Sequence, residues 1–479
     1  MLNISNKKKA FLLINELHKD KNSVSVTLTG SYSEHFNVEK AGDIDIIIIC
    51  KKLNKSYFNK CIKKLKKIKN NLFGKKKKLI INSTFGPIKF YEKNSIVFHL
   101  MIYDINGHID HTIKSPFTCF DWERSNIYAG KRLKEICAVR NLQLRDFYEA
   151  RRSTNEYLID ILNNKISYRE YNFKGNNYYI KKKNYTIDEI NKRDFIYHTI
   201  NFLLINYIKY EKKKNYLINK KNVDKKFLEI TKSKKLLKSF KELRKYKQNK
   251  SEENIINPKN LAIKFIKCFD KFIQNKIKSI NYLYFSRHKK TQLNKGIFLG
   301  QKNNPEIIDS KITKEFRALK FDKYFSSPSK RCLQTIKLLN SNSKINISKN
   351  LLEIDYGDVE NLSFNSFKNK YPNIVRKWNL GQDVAFPNGE TTMDVLVRLK
   401  KFINKELIKS NINPGKKIII ITHNVVLRCL IGSYFNIEMK DWFKINIKYF
   451  DCYEFILDNK NIRTNINREK FLDLFKFFA

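Results

Sequence analysis

The sequence predicts a multidomain α/β chain: a strand-containing N-terminal part, a helical middle and a C-terminal part built on a parallel sheet. Three observations carry this. The 479 residues suffice for two to four domains at roughly 100–200 residues each. Short apolar strands bounded by turns fill residues 1 to about 140 and return after about residue 280. Between these zones Pro and Gly almost vanish, and apolar residues recur at helical spacing.

In residues 1–140 the strand candidates are SVSVTLTG, DIDIIIIC, KLIINS and SIVFHLMIYD. In residues 141–279 helical spacing shows in Tyr157–Leu158–Ile161–Leu162 and in Phe202–Leu203–Ile205–Ile208. In residues 280–479 the strands NYLYFS, FDKYFSS and KIIIITH each precede a helical pattern, the signature of parallel βαβ units. The segment SPFTCFDWERSNIYAG reads as an aromatic-anchored packing link. The cluster His108, Asp110, His111 is read as a turn, where its spacing is poor for a metal.

Hydrophobic residues at 42% and aromatics at 13% mark a chain that buries a core. The longest apolar runs, Ile44–Cys50 (broken by Asp45) and Ile418–Ile421, have strand length, far short of the roughly 18 residues a membrane helix needs. Together with an N-terminus that has no lasting apolar stretch or cleavage site, this argues against a membrane partner and for a cytoplasmic protein. Eight scattered cysteines without a CxxC pair agree with a reducing compartment. The net charge of +50 fits a phosphate-rich partner, but the Lys, Ile and Asn excess also fits a compositional bias towards AT-rich codons. Residues 209–250 carry 17 basic against 4 acidic side chains, either a solvated helix face or a footprint for nucleic acid.

The chemistry-bearing residues of the C-terminal part sit at strand ends and helix starts. Arg287 and His288 follow NYLYFS, Arg331 follows FDKYFSS in SSPSKRCLQT, Glu353 precedes a glycine turn in LLEIDYGDVEN, and His423 ends KIIIIT. Parallel α/β sheets bind ligands at that edge. Two histidines, two arginines and an acid support phosphoryl transfer through a phosphohistidine, the arginines neutralising the phosphate and the acid protonating the leaving alcohol. No metal cofactor is needed, because the arginines supply the positive charge.

RHKKTQLN, SSPSKR, EIDYGDVEN, FPNGET and THN, in this order, resemble the motifs of the histidine phosphatase superfamily, the group of the cofactor-dependent phosphoglycerate mutases and alpha-ribazole phosphatases. The likeness covers about Asn281 to Asp458. It implies a three-layer α/β/α domain with His288 as nucleophile and Glu353 as acid/base. Arg287, Arg331 and His423 would form the phosphate pocket, with Asn294 assisting. Lys289, Asn424, Val359 and Asn361 depart from the family's pattern, Lys289 placing a side chain where glycine is usual. The compact length, about 180 residues, favours hydrolysis over mutase chemistry.

In VTLTGSYSEHFNVEKAGDIDIIII, Gly30 and Ser31 end a strand, eleven residues intervene, and Asp43 and Asp45 share one face of the next strand. Two carboxylates on an apolar strand are costly unless a cation lies between them, and Mg²⁺ with a nucleoside triphosphate is the natural occupant. A turn before an Asp-edged strand gives the same pattern without chemistry. The pattern resembles the nucleotidyltransferase superfamily of DNA polymerase beta, over about residues 10 to 110. That resemblance implies a mixed sheet, nucleotidyl transfer, metal binding by Asp43 and Asp45, and triphosphate binding by Gly30 and Ser31. A third ligand is expected on a neighbouring strand: Asp104, or His99, or none.

The expected whole is a bifunctional enzyme acting on a small phosphorylated metabolite, with Mg²⁺ serving the N-terminal part. The alternatives are an RNA-end-processing enzyme, or a phosphatase whose N-terminal domain only binds a nucleotide. RNA binding through 6–10 phosphate contacts would weaken about 10³–10⁵-fold between 50 and 200 mM salt.

Overall fold

The computed structural model describes residues 5–74, 76–86, 94–140, 142–143, 146, 156, 158–212, 218–249, 258–293 and 296–476. Tyr157 and Asn294, both singled out above, lie outside these residues. The chain divides into two compact units, residues 1–271 with 478–479, and residues 272–477.

The strands of the first unit are β1 (Ser23–Thr29), β2 (Ile44–Cys50), β3 (Lys78–Asn82), β4 (Thr84–Phe85), β5 (Ser95–Asp104), β6 (Tyr128–Gly130), β7 (Lys165–Lys174) and β8 (Asn177–Thr186). A five-stranded sheet runs β3-β5-β2-β1-β6, and a smaller one runs β4-β7-β8. The larger sheet is mixed: β1 pairs antiparallel with β2 and β6, whereas β2 and β3 pair parallel with β5. The central position of β2 explains its isoleucine run, since both faces are covered. Ile44, Ile46 and Ile48 enter one core with Leu13, Leu17 and Leu65. Ile47 and Ile49 enter the other with Phe120 and Trp122. Each such side chain contributes about 1.5–3 kcal/mol on burial. Helix Lys55–Phe73 starts at Asn54, whose side chain accepts the Tyr57 N–H at 2.9 Å. It buries Tyr57, Phe58, Cys61, Leu65 and Ile68, one helical stripe.

The expectation of a wholly helical middle is corrected by the β7–β8 hairpin. Its register closes at Lys174 and Asn177 around Gly175, whose φ of 57° suits a glycine in a tight turn. The scarcity of Gly and Pro hid this turn, although Tyr171 and Phe173 keep strand alternation and pack against Phe58. Long helices follow at Glu189–Lys212, Lys220–Thr231, Lys234–Asn249 and Pro258–Lys278. Part of the lysine-rich charge is spent inside this unit. Lys209 pairs with Asp121 at 2.7 Å, Lys226 with Glu211 at 2.6 Å, and Arg244 with Asp224 at 2.6 Å.

The second unit contains β9 (Asn281–Arg287), β10 (Lys323–Ser326), β11 (Ile345–Ile347), β12 (Lys417–Thr422), β13 (Cys452–Asp458) and β14 (Asn461–Thr464). Their order is β11-β10-β12-β9-β13-β14. The first four are parallel, and β13 and β14 are antiparallel additions. On one face Tyr284, Tyr324, Ile419 and Ile421 pack with Cys332 and Ile336 of helix Lys330–Leu339. On the other, Phe325 meets Phe402 of helix Thr392–Phe402, and Phe285 meets Phe455. Helices thus cover both sheet faces, an α/β layered fold. Among the described residues no helix is long and apolar enough to cross a membrane.

Candidate active site

Parallel pairing aligns the C-terminal ends of β9, β10 and β12. Thr422 pairs with Arg287 and Ile421 with Ser326, so the next residues, His288, Ser327 and His423, emerge together. The His288 N–H donates to the Thr422 carbonyl at 3.0 Å, and the Ser327 N–H to the Ile421 carbonyl at 3.1 Å. The rings of His288 and His423 stand edge to face with centroids 5.1 Å apart.

His288 is 3% exposed, and its Nδ1 lies 2.6 Å from the Lys289 carbonyl. A carbonyl only accepts, so Nδ1 carries the hydrogen and Nε2 keeps a lone pair. Burial, then the charges of Arg331 and Arg287, hold the His288 pKa well below the usual histidine range. His423 is lowered by burial and the same arginines, and its Nε2 lies 2.9 Å from Ser327 Oγ.

Arg331 is 1% exposed and donates to the carbonyls of Gly300 at 2.8 Å and Asn303 at 3.1 Å. Arg287 donates to the Ile447 carbonyl at 3.0 Å, and its guanidinium lies 3.6 Å from the centroid of the Tyr449 ring. The Nε–H groups of both arginines are buried without a hydrogen-bond partner among the described residues. Unmet buried donors beside a neutral imidazole form a socket for an anion.

Glu353 sits at the start of helix Asn424–Tyr434, where its carboxyl oxygens accept the N–H groups of Asn424 at 3.0 Å and Val425 at 3.1 Å. Burial raises its pKa; the Ile354 N–H and the two arginines oppose that rise without cancelling it. Arg398 fixes the backbone beneath it, donating to the Leu352 carbonyl at 2.6 Å and the Glu353 carbonyl at 2.9 Å while pairing with Glu390.

The departures from the family pattern are accommodated. The Lys289 ammonium turns to Asp309 at 3.0 Å and to the Phe450 ring. Asn361 has φ of 74°, a left-handed position that asparagine tolerates. Val359 is fully buried, and the Asn424 N–H serves Glu353.

These groups form a buried, cationic socket around two imidazoles. Residues 283–466 match the histidine phosphatase superfamily (branch 1). A phosphoglycerate mutase of Schizosaccharomyces pombe is 30% identical over 166 residues, covering 32% of this chain and 78% of that protein. A 2,3-bisphosphoglycerate-dependent phosphoglycerate mutase of Afipia carboxidovorans is 29% identical over 164 residues, covering 31% and 78%. The solved structure of Bacillus stearothermophilus YhfR is 21% identical, covering 39% of this chain and 96% of that one, with a TM-score of 0.35. Through its C-terminal part the chain belongs to the histidine phosphatase superfamily.

Sequence reading missed several supports. Glu360 accepts the N–H groups of Gln301 at 3.1 Å and Asn303 at 2.9 Å, fixing the loop whose carbonyls hold Arg331. Glu360→Ala is expected to cost about 1–3 kcal/mol in a thermal or urea melt, by stripping buried donors of their partner. It should lower kcat/KM up to about a hundredfold as Arg331 shifts. An unchanged kcat/KM would separate Glu360 from the site.

In the first unit, Asp43, Asp45 and His99 each place a donor atom within 4.8 Å of the others. Pairing of β2 with β5 sets Asp45 opposite His99 and Cys50 opposite Asp104. Asp104 is therefore separated from the pair by the length of β2, and it caps helix Ile105–Lys114 by accepting the Gly107 N–H at 2.7 Å. The structure therefore separates Asp104 from Asp43 and Asp45 and brings His99 to them instead. His99 Nδ1 lies 2.7 Å from Asp45 Oδ1, and Nε2 lies 3.1 Å from the Thr84 carbonyl. Burial lowers the His99 pKa, but the bond to Asp45 and its charge outweigh this and the net shift is upward. Gly30, at φ of 71°, lies so close to the Asp45 carboxylate that a Cβ there would collide. Ser31 donates to the Ala41 carbonyl at 3.2 Å. His108, Asp110 and His111 lie on helix Ile105–Lys114 and not on a turn. His111 stacks between Tyr103 and Trp122, a packing role.

Proposed function

We propose that residues 272–477 hydrolyse the phosphomonoester of a small metabolite through a phosphohistidine. The observation that carries this is the buried imidazole of His288, held by the Lys289 carbonyl with Nε2 free, beside two arginines with unmet Nε–H donors. Nε2 attacks phosphorus and the P–O bond to the alcohol breaks, while Glu353 gives its proton to the departing oxygen. Water, deprotonated by the same carboxylate, then attacks phosphorus, breaks the P–N bond and releases inorganic phosphate. Arg287, Arg331 and His423 hold the phosphoryl oxygens throughout, and Asn294 assists.

A cavity of about 340 Å³ borders Glu353 through Ile354 and Val425. Its walls include Phe298, Tyr356, Trp378, Phe386 and Trp442, with Arg428 as a half-buried cation. Such a lining favours an alcohol carrying an aromatic or apolar body and one anionic group. Arg428→Met should raise KM for such substrates about tenfold or more with little change in kcat, since a charged hydrogen bond contributes about 1.5–3 kcal/mol. A fall in kcat at unchanged KM would contradict this. The reading as a whole is tested by phosphate release from sugar phosphates, glycerate phosphates, aryl phosphates, nucleotides and a phosphorylated RNA end, with and without Mg²⁺. Release from one small substrate without metal supports it; release from RNA ends alone supports the processing alternative.

A second reading concerns the first unit: nucleotidyl transfer from a nucleoside triphosphate, with Asp43 and Asp45 on the Mg²⁺ and Gly30 and Ser31 on the phosphates. The approach of Asp43 and Asp45 beside Gly30 favours it. The double substitution Asp43→Asn with Asp45→Asn should abolish metal-dependent transfer; transfer that persists would refute the assignment.

A further inference from the structure

The two arginines of the socket are not held alike. Arg331 is 1% exposed and reaches two carbonyls, those of Gly300 and Asn303. Arg287 is half-buried, and among the described residues its side chain reaches one carbonyl, that of Ile447 at 3.0 Å. A long side chain with large rotamer freedom is poorly fixed by one hydrogen bond.

A short strap, residues 447–450 just before β13, supplies the rest by meeting Arg287 at three points. The Ile447 carbonyl accepts from one terminal nitrogen, and the Tyr449 ring lies flat against the guanidinium, its centroid 3.6 Å from the central carbon. The Phe450 N–H donates to the Arg287 carbonyl at 3.1 Å. The strap is itself anchored. Phe450 has φ of 51°, a left-handed position that a bulky residue takes only where its surroundings impose it. Its ring stacks on Phe316 with centroids 4.4 Å apart and meets the Lys289 ammonium at 4.7 Å. The Lys448 N–H donates to the Tyr453 hydroxyl at 3.2 Å. Tyr449 also stands edge to face with His288, centroids 5.9 Å apart, so it borders the socket and lies outside the five motifs.

An aromatic face attracts a guanidinium and sets the plane in which it lies. With the ring on one side and a carbonyl at one end, the Arg287 plane is fixed, and its Nε–H is left for an anion. We propose that Tyr449 is a positioning residue for phosphate binding: its ring holds the Arg287 guanidinium in the orientation that receives a phosphoryl oxygen before substrate arrives. The proposal rests on the phosphatase reading above. Ordering a cationic side chain in advance lowers the cost of binding, and loss of a desolvated ring–cation contact weakens it about threefold to thirtyfold.

The test is calorimetric titration of the full-length chain with inorganic phosphate, which needs no turnover. Tyr449→Phe keeps the ring and should bind within about twofold of the wild type, whereas Tyr449→Leu should bind about tenfold more weakly. Arg287→Met should also weaken binding, and adding Tyr449→Leu to it should cost nothing further, because the ring acts through the arginine. Tyr449→Met, which keeps bulk without a ring, takes the place of Tyr449→Leu if that variant fails to fold. Wild-type affinity in Tyr449→Leu would overturn the proposal and leave the phosphatase reading intact. So would Tyr449→Phe binding as weakly as Tyr449→Leu, or a full additional loss in the double variant. A wild type that binds no phosphate and releases none from any ester would overturn both.

Discussion

Replacing His288 by alanine is expected to lower phosphate release by roughly 10⁴-fold or more, because no other group in the pocket takes over a covalent step. Arg287, Arg331 and His423 would still bind the phosphate, so KM should change much less than kcat. The side chain is only 3% exposed, and alanine leaves the Lys289 carbonyl unmet. His288→Asn keeps a donor near the Nδ1 position and serves as the companion variant. Both should melt within a few degrees of the wild type and be equally inactive. Near-normal turnover in either would remove His288 as nucleophile.

The second large effect concerns Glu353. Glutamine keeps the shape but has no acidic proton, so turnover of esters with poor leaving alcohols should fall about 10²–10⁴-fold. An activated aryl phosphate, which needs no protonation, should still phosphorylate His288. The pH dependence follows from the opposed shifts. The free enzyme needs His288 neutral and Glu353 protonated. With the His288 pKa held down by burial and the arginines, its acid limb falls at lower pH than an ordinary histidine would give. With the Glu353 pKa pushed up by burial, the proton donor survives to higher pH than in an exposed glutamate, and kcat/KM declines as pH rises through that value. The wild-type profile of kcat/KM should show this alkaline fall, and Glu353→Gln should lack it.

The candidate site residues were legible because they sit at strand ends and helix starts, where sequence neighbours remain spatial neighbours. His288 and His423 follow β9 and β12, and parallel register alone brings them together. Their supports were not legible. Arg398 reaches the Glu353 loop from a helix 45 residues away in sequence, and Glu360 holds a loop nearly sixty residues earlier. Nothing local encodes such contacts. Lys289 seemed a misfit in the motif until Asp309 and Phe450 gave its side chain another direction. In the first unit the Asp43 and Asp45 pattern was readable, but the choice of partner depended on how β5 aligns with β2. A register placing Asp45 opposite His99 puts Asp104 at the other end of the strand. The β7–β8 hairpin was missed because a single glycine carries the turn.

The central claim, a phosphoryl group carried on His288 Nε2, is tested most directly by trapping it. Glu353→Gln reacted briefly with an activated aryl phosphate and quenched in alkali should retain one phosphoryl group. That label should map to His288, persist in base, be lost in acid, and be absent when His288→Asn is added. A burst of aryl alcohol with no such label, or a label on another residue, would contradict the account.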